Sequence, residues 1–188
     1  MPALPESLTT GLKEWDAVCR LLGEGRQIFL LRKGGIVEKD DVFTMRSPSF
    51  VLLPTHEHQS ELDFKEVFQQ HLRAGPGPAG PFPATHAALA DEVRRVTREQ
   101  ARALLPLSVW SDAYLEKKLA YRPDQPLHLV LLRVFKSAAP GVIPADPGYA
   151  GCVSWVALNA PIPTKEYAPV LSDPDFAARR RELLTLIS

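Results

Sequence analysis

Gln27-Ile28-Phe29-Leu30-Leu31-Arg32 and Ser49-Phe50-Val51-Leu52-Leu53-Pro54-Thr55 are the two stretches whose reading decides the fold. Each is a short run of large apolar residues bounded by Gly, Pro or polar residues, the pattern of a buried strand rather than a helix. Each also ends in a dense set of polar groups. Lys33-Gly34-Gly35 and then Glu38 follow the first, and His56-Glu57-His58-Gln59 follow the second. Val42–Arg46 reads as a further strand, joined to the second run by Ser47-Pro48. Their close spacing predicts a meander of neighbouring strands.

Outward from this centre, helical signals alternate with strands. Leu8, Leu12, Trp15, Val18, Cys19 and Leu22 recur at helical spacing, with Gly23 and Gly25 as the stop. Ser60 with Asp63 predicts a capped helix burying Phe64, Val67, Phe68 and Leu72. Residues 73–84 hold four prolines and three glycines, so they are expected to form an exposed loop. Leu89, Val93 and Val96 fit a short helix or a strand. Thr97 with Gln100 has capping-box spacing and opens a helix at Arg98, and Ser111–Leu119 reads as another. Leu127–Phe135 and Cys152–Leu158 are strands, and Ser172 caps a last helix with Pro174 in its first turn. The expected fold is a single α+β domain over residues 1–188. Its mixed or mostly antiparallel sheet has about five or six strands, flanked by four or five helices.

A chain of 188 residues buries a core without disulfides or metals. Its 22 basic and 22 acidic side chains cancel, so no global field draws it onto nucleic acid or anionic lipid, and polyanion binding requires a local patch. No apolar run is long enough for a membrane span, and the first residues lack the pattern of a secretory signal. Cys19 and Cys152 match no metal spacing and read as buried thiols. A reduced, cytoplasmic protein with no membrane partner is expected.

The polar strand ends carry the candidate chemistry. Arg32 and Lys33 beside Gly34 and Gly35 combine two cations with a turn able to aim backbone amides at an anion. A hairpin turn with solvated charges is the plain alternative. His56, Glu57 and His58 offer acid/base groups, and on an extended segment His56 and His58 would share a face and chelate a divalent metal ion. The plain alternative there is a helix N-terminus capped by Thr55. Glu38 would assist, although Glu38–Asp41 also fits a solvated turn. Trp110 and Trp155 would present stacking faces to bases, unless they are core. Arg94, Arg95, Arg98 and Arg102 are interleaved with acidic residues and read as a solvated face. No P-loop, nucleophile elbow or zinc-finger spacing is present.

Leu12-Lys13-Glu14-Trp15, Leu30–Ile36 with Glu38, Leu53–Gln59, Trp110–Tyr114 and Pro126–Arg133 resemble the bacterial domain-of-unknown-function family numbered 1802. The resemblance runs from about Leu8 to Leu158, with Arg-Lys-Gly-Gly and His-Glu-His-Gln its most specific parts. It implies no activity or catalytic residue, and the 73–84 loop departs from it. The preferred expectation is a protein that binds a phosphate-bearing ligand, foremost nucleic acid, with processing of that ligand left open. Arg32, Lys33, Gly34 and Gly35 would hold phosphate, with Glu38, His56, Glu57 and His58 catalytic. A metal-dependent hydrolase and a non-catalytic interaction protein are the alternatives. On the preferred reading, removing Arg32 and Lys33 together would weaken binding and barely alter melting.

Overall fold

The computed structural model describes residues 3–33, 45–75, 77, 79–151 and 153–188 of the chain. Strand β1 (Ser7–Trp15) turns directly into helix α1 (Asp16–Gly23), followed by β2 (Phe29–Arg32) and β3 (Ser49–Thr55). A short helix α2 (Glu66–Gln69) and strand β4 (Phe82–Pro83) precede the long β5 (His86–Val96). Helices α3 (Arg98–Ala103) and α4 (Asp112–Ala120) lead to the second long strand, β6 (Leu127–Ser137). Then come β7 (Val142–Ile143), β8 (Trp155–Pro163), β9 (Tyr167–Pro169) and helix α5 (Asp173–Leu186).

Seven strands form one mixed sheet in the order β2-β6-β5-β3-β1-β8, with β9 also pairing to β6. Strands β4 and β7 make a separate two-stranded sheet. The α+β class stands, with slightly more strands than expected. The meander does not. β2 pairs antiparallel with β6, whereas β3 lies parallel to β1 and antiparallel to β5. The reason lies in β6, which is buried along nearly its whole length and takes partners on both sides. Such a strand belongs in the middle of a sheet. Val42, Phe43 and Thr44 of the third expected strand lie outside the described residues, and Met45 and Arg46 are not in a strand.

Both faces of the sheet are covered, and β3 shows how. Its Phe50 and Leu52 face the larger core with Phe29, Leu131 and the helices, while Val51 and Leu53 face a second cluster with Phe82, Ile143 and Tyr149. Alternation of period two sorts the four residues to opposite sides. Each such side chain, fully buried, contributes about 1.5–3 kcal/mol. The second cluster corrects the expectation for the 73–84 loop. Phe82 and Ala84 are buried at its end, and β4 pairs with β7 over the sheet, so the loop closes a core.

The N-terminal helix is also corrected. Leu8 to Trp15 form a strand, and the helix is confined to Asp16–Gly23. Thr9, Thr10 and Gly11 are poor helix formers, and a Cβ on Gly11 would sit 2.4 Å from Leu53 Cδ1 where the strands pack. A register shift between Leu8 and Thr10 breaks the alternation and leaves an apolar spacing that imitates a helix. Ser60 does cap a helical turn, but a 3-10 turn over Glu61–Asp63 rather than a long helix. The caps expected at Thr97 and Ser172 appear: Thr97 and Gln100 form the reciprocal box, and Ser172 accepts from Asp175 N. Ser111, expected only as the first residue of a helix, is a cap as well and accepts from Tyr114 N.

His86 links this core to pH. It is buried, and a Cβ on Gly23 would lie 2.0 Å from its Nε2, so the ring packs flush on the end of α1. Burial, helped by Lys136 and opposed by Asp16, holds its pKa down at about 4. The unfolded chain binds the proton near 6.5, so stability from a neutral His86 is complete above that pH and is lost as pH falls toward 4. Denaturant titrations at pH 7 and 4.5 should show wild type losing on the order of 2 kcal/mol more than His86→Gln. Identical losses would remove this assignment.

Candidate functional site

The ends of β1, β2 and β3 meet although β2 and β1 lie far apart in the strand order. The sheet coils until Arg32, last in β2, reaches the end of β1, where its Nη2 donates to the Lys13 carbonyl at 3.0 Å. Its Nη1 stands 3.4 Å from Glu14 Oε2, and both side chains are largely buried, 13% and 11% exposed. Glu14 Oε1 accepts from the Trp15 amide at 2.9 Å, so the carboxylate is held at both oxygens. Arg32 Nε is buried with no hydrogen-bond partner among the described residues. Trp15 and Thr55 are register partners in the parallel β1–β3 pair, and the crevice beyond such strand ends is where open sheets bind ligands.

Here that crevice is a hollow of about 170 Å³. Glu14, Arg32, Thr55, Glu57 and His58 line it, facing Gly151, Val153 and Ser154. The far wall is tied in place by Lys13, whose Nζ donates to the carbonyls of Tyr149 and Gly151 at 2.8 and 2.9 Å. Arg32 thus shares a cavity with Glu57 and His58, as the convergence of strand ends required.

Several expected members are elsewhere. His58 has φ +60°, so the chain turns left-handed there and the two imidazoles do not share a face. His56 Nε2 lies 3.7 Å from Asp16 Oδ2, and a Cβ on Gly75 would sit 2.0 Å from its Cε1, which places the ring under the loop instead of in the hollow. No group of three or more metal-capable side chains gathers among the described residues. Nor is there a helix N-terminus at Thr55. Its hydroxyl accepts from Glu57 N at 3.4 Å within a turn.

Lys33 is corrected as well. Its Nζ donates to the carbonyls of Leu119, Tyr121 and Arg122 at 3.2, 2.7 and 3.1 Å, capping the C-terminal end of α4. All three ammonium protons are engaged there, where a cation also complements the helix dipole. Desolvation, then the Arg98 charge, lowers its pKa. Trp110 and Trp155 are 1% and 6% exposed and are core residues, not open stacking faces. Trp155 meets Phe50 edge-on at 5.1 Å. Gly34, Gly35, Glu38, Asp40 and Asp41 lie outside the described residues. The basic cluster is largely paired with its acidic neighbours: Arg94 with Glu92, and Arg98 and Arg102 with Glu116; Arg180 of α5 pairs with Asp91 and Glu92.

Two residues escaped the sequence reading. Glu14 is one, and its signal was its place in Leu12-Lys13-Glu14-Trp15, next to the polar end of a strand mistaken for a helix. Lys118 is the other. Burial first, then the Arg32 charge, push its pKa down to about 8 against the pull of Glu14. Its ammonium lies 5.7 Å from the Tyr114 ring centroid. A lysine held well below its ordinary pKa, within the fields of Arg32 and Glu14, is a candidate proton donor or acceptor.

No curated protein matches the chain. The family described as Domain of unknown function (DUF1802) matches residues 11–182, from the middle of β1 into α5, and so spans every segment that builds the hollow. The chain belongs to that family.

Proposed function

We propose that the hollow at the β1–β3 ends binds a phosphate-bearing ligand, a nucleic acid presenting one phosphate group at a time. The observation that supports this most is Arg32 opening on the same hollow as His58 and Thr55. A guanidinium held by Glu14 and the Lys13 carbonyl is pre-aimed, so little side-chain entropy is lost when an anion docks. A volume of about 170 Å³ takes a head group rather than a whole drug-sized ligand. With the tryptophans buried and Arg102 and Arg180 paired, a long tracked backbone has little support. His58 and Glu57 at the mouth are exposed acid/base groups, placed to serve hydrolysis of the bound phosphoester.

A second reading draws on the same observations. Arg32 and Lys33 both make internal contacts, so these charges would brace the strand ends of a protein that binds partners without catalysis. Calorimetric titration separates the two. A nucleoside monophosphate and a 5′-phosphorylated single strand are each compared with the unphosphorylated nucleoside or strand. Phosphorylated forms should bind about tenfold more tightly or better, as a charge-assisted hydrogen bond implies. His58→Asn, which tolerates the left-handed backbone, should weaken them while Tm moves by about 2 °C or less. Equal affinity for phosphorylated and plain ligands would sink the proposal and leave the bracing role.

A further inference from the structure

On another side of the molecule a cleft of about 340 Å³ lies between β2, the 105–108 turn and α5. Its walls are cross-braced. The buried Gln27 amide donates to the Phe29 carbonyl at 2.6 Å and accepts from Val109 N at 2.8 Å, tying β2 to the turn. Lys65 Nζ donates to the carbonyls of Leu105 and Ser108 at 2.7 and 2.6 Å, holding that turn from the opposite side. Arg179 donates from Nη1 to the Gly25 carbonyl, joining α5 to the chain before β2. Such a cleft is preformed, and it falls within the size range of small-molecule sites.

The electrostatics of this cleft are lopsided for a protein of zero net charge. Arg26, Lys65 and Arg179 line it against the single carboxylate of Glu182. The bracing acceptors of Lys65 and Arg179 are neutral carbonyls, so these bonds bring no opposing charge into the cleft. Arg26, 63% exposed, stands 3.9 Å from Glu24, a contact too loose and wet to neutralise it. The floor is apolar: half-buried Phe68 and Leu107 lie over Phe29 and Leu183. Cations at the rim and hydrocarbon beneath match a ligand with an acid group on an apolar body.

We infer that this cleft is a second binding site, for a small amphipathic anion whose apolar body lies on Phe68 and Leu107 and whose acid group meets Arg26 and Arg179. It is separate from the hollow at Arg32 and does not depend on the reading of that hollow. Octanoate and phenyl phosphate, each against its neutral counterpart octanamide or phenol, probe it by ligand-observed NMR on the full chain. At least one anion should bind about tenfold more tightly than its neutral counterpart, and the better of the two identifies the head group. Glu182→Gln removes the opposing charge and should tighten that anion about threefold, a gain that a folding defect cannot mimic. Arg26→Gln should weaken it about threefold or more, and His58→Asn should leave it unchanged. Neutral and anionic probes binding alike, or Glu182→Gln and Arg26→Gln both without effect, would overturn the inference.

Discussion

Replacing Arg32 with alanine is expected to cost about 3 kcal/mol of stability, the lower part of the range for breaking a buried ion pair. The lower part applies because the pair borders the hollow and stays slightly wet, at 13% and 11% exposure. What is lost is more than the 3.4 Å contact. The substitution leaves the Glu14 carboxylate in the protein without its guanidinium partner, the Trp15 amide at 2.9 Å being its remaining hydrogen-bond donor among the described residues. It also frees the Lys13 carbonyl that now accepts from Nη2. Urea titration should therefore place the midpoint well below that of wild type. Glu14→Gln in the Arg32→Ala background should recover stability, since a neutral amide is cheaper to bury than an orphaned carboxylate. This reverses the expectation that Arg32 could be removed with little effect on melting. If Arg32→Ala unfolds at the wild-type midpoint, the pair does not brace the strand ends, and Arg32 is free to serve a ligand alone.

Local chemistry was legible in the sequence, and long-range partnership was not. Thr97, Ser111 and Ser172 cap their helices because a hydroxyl and an amide two or three residues on meet whatever the rest of the fold does. The α+β class followed from the apolar runs at Gln27–Arg32, Ser49–Thr55 and Leu127–Phe135, which are strands in whole or in large part. Their order was hidden. β2 finds β6 about a hundred residues later, and nothing in either run names the other. The same limit governed the site. Arg32 and His58 were visible as polar strand ends and do share a hollow, yet the groups that set their state are distant. Glu14 reaches Arg32 only because the sheet coils, and Lys33 turns away because the end of α4, nearly ninety residues on, offers three carbonyls. His56 and His58 parted on one backbone angle, φ +60° at His58, that residue spacing does not encode.

Trp110→Ala carries an expected loss of about 3–5 kcal/mol, as for large aromatic truncations in a core. For a chain of this size that lowers Tm by on the order of 10 °C. The indole stacks on Tyr114 at 4.9 Å and 14° between planes, and meets Phe29 edge-on at 5.9 Å. The Trp110 backbone also bridges to Phe64, which joins the 61–64 turn to the start of α4. Its Nε1 is buried without a hydrogen-bond partner among the described residues, which sets a second expectation. Trp110→Phe gives up ring volume but also removes an unsatisfied donor, itself worth about 1–3 kcal/mol, so it should be much milder than alanine. The pair of variants separates core from base-stacking platform. A core indole makes both variants change stability and leaves the phosphate affinity of the folded protein alone. A stacking indole would do the reverse, with alanine costing about 1–3 kcal/mol of binding per base at unchanged Tm. With Trp110 only 1% exposed, calorimetry on the two variants should find stability altered and affinity intact.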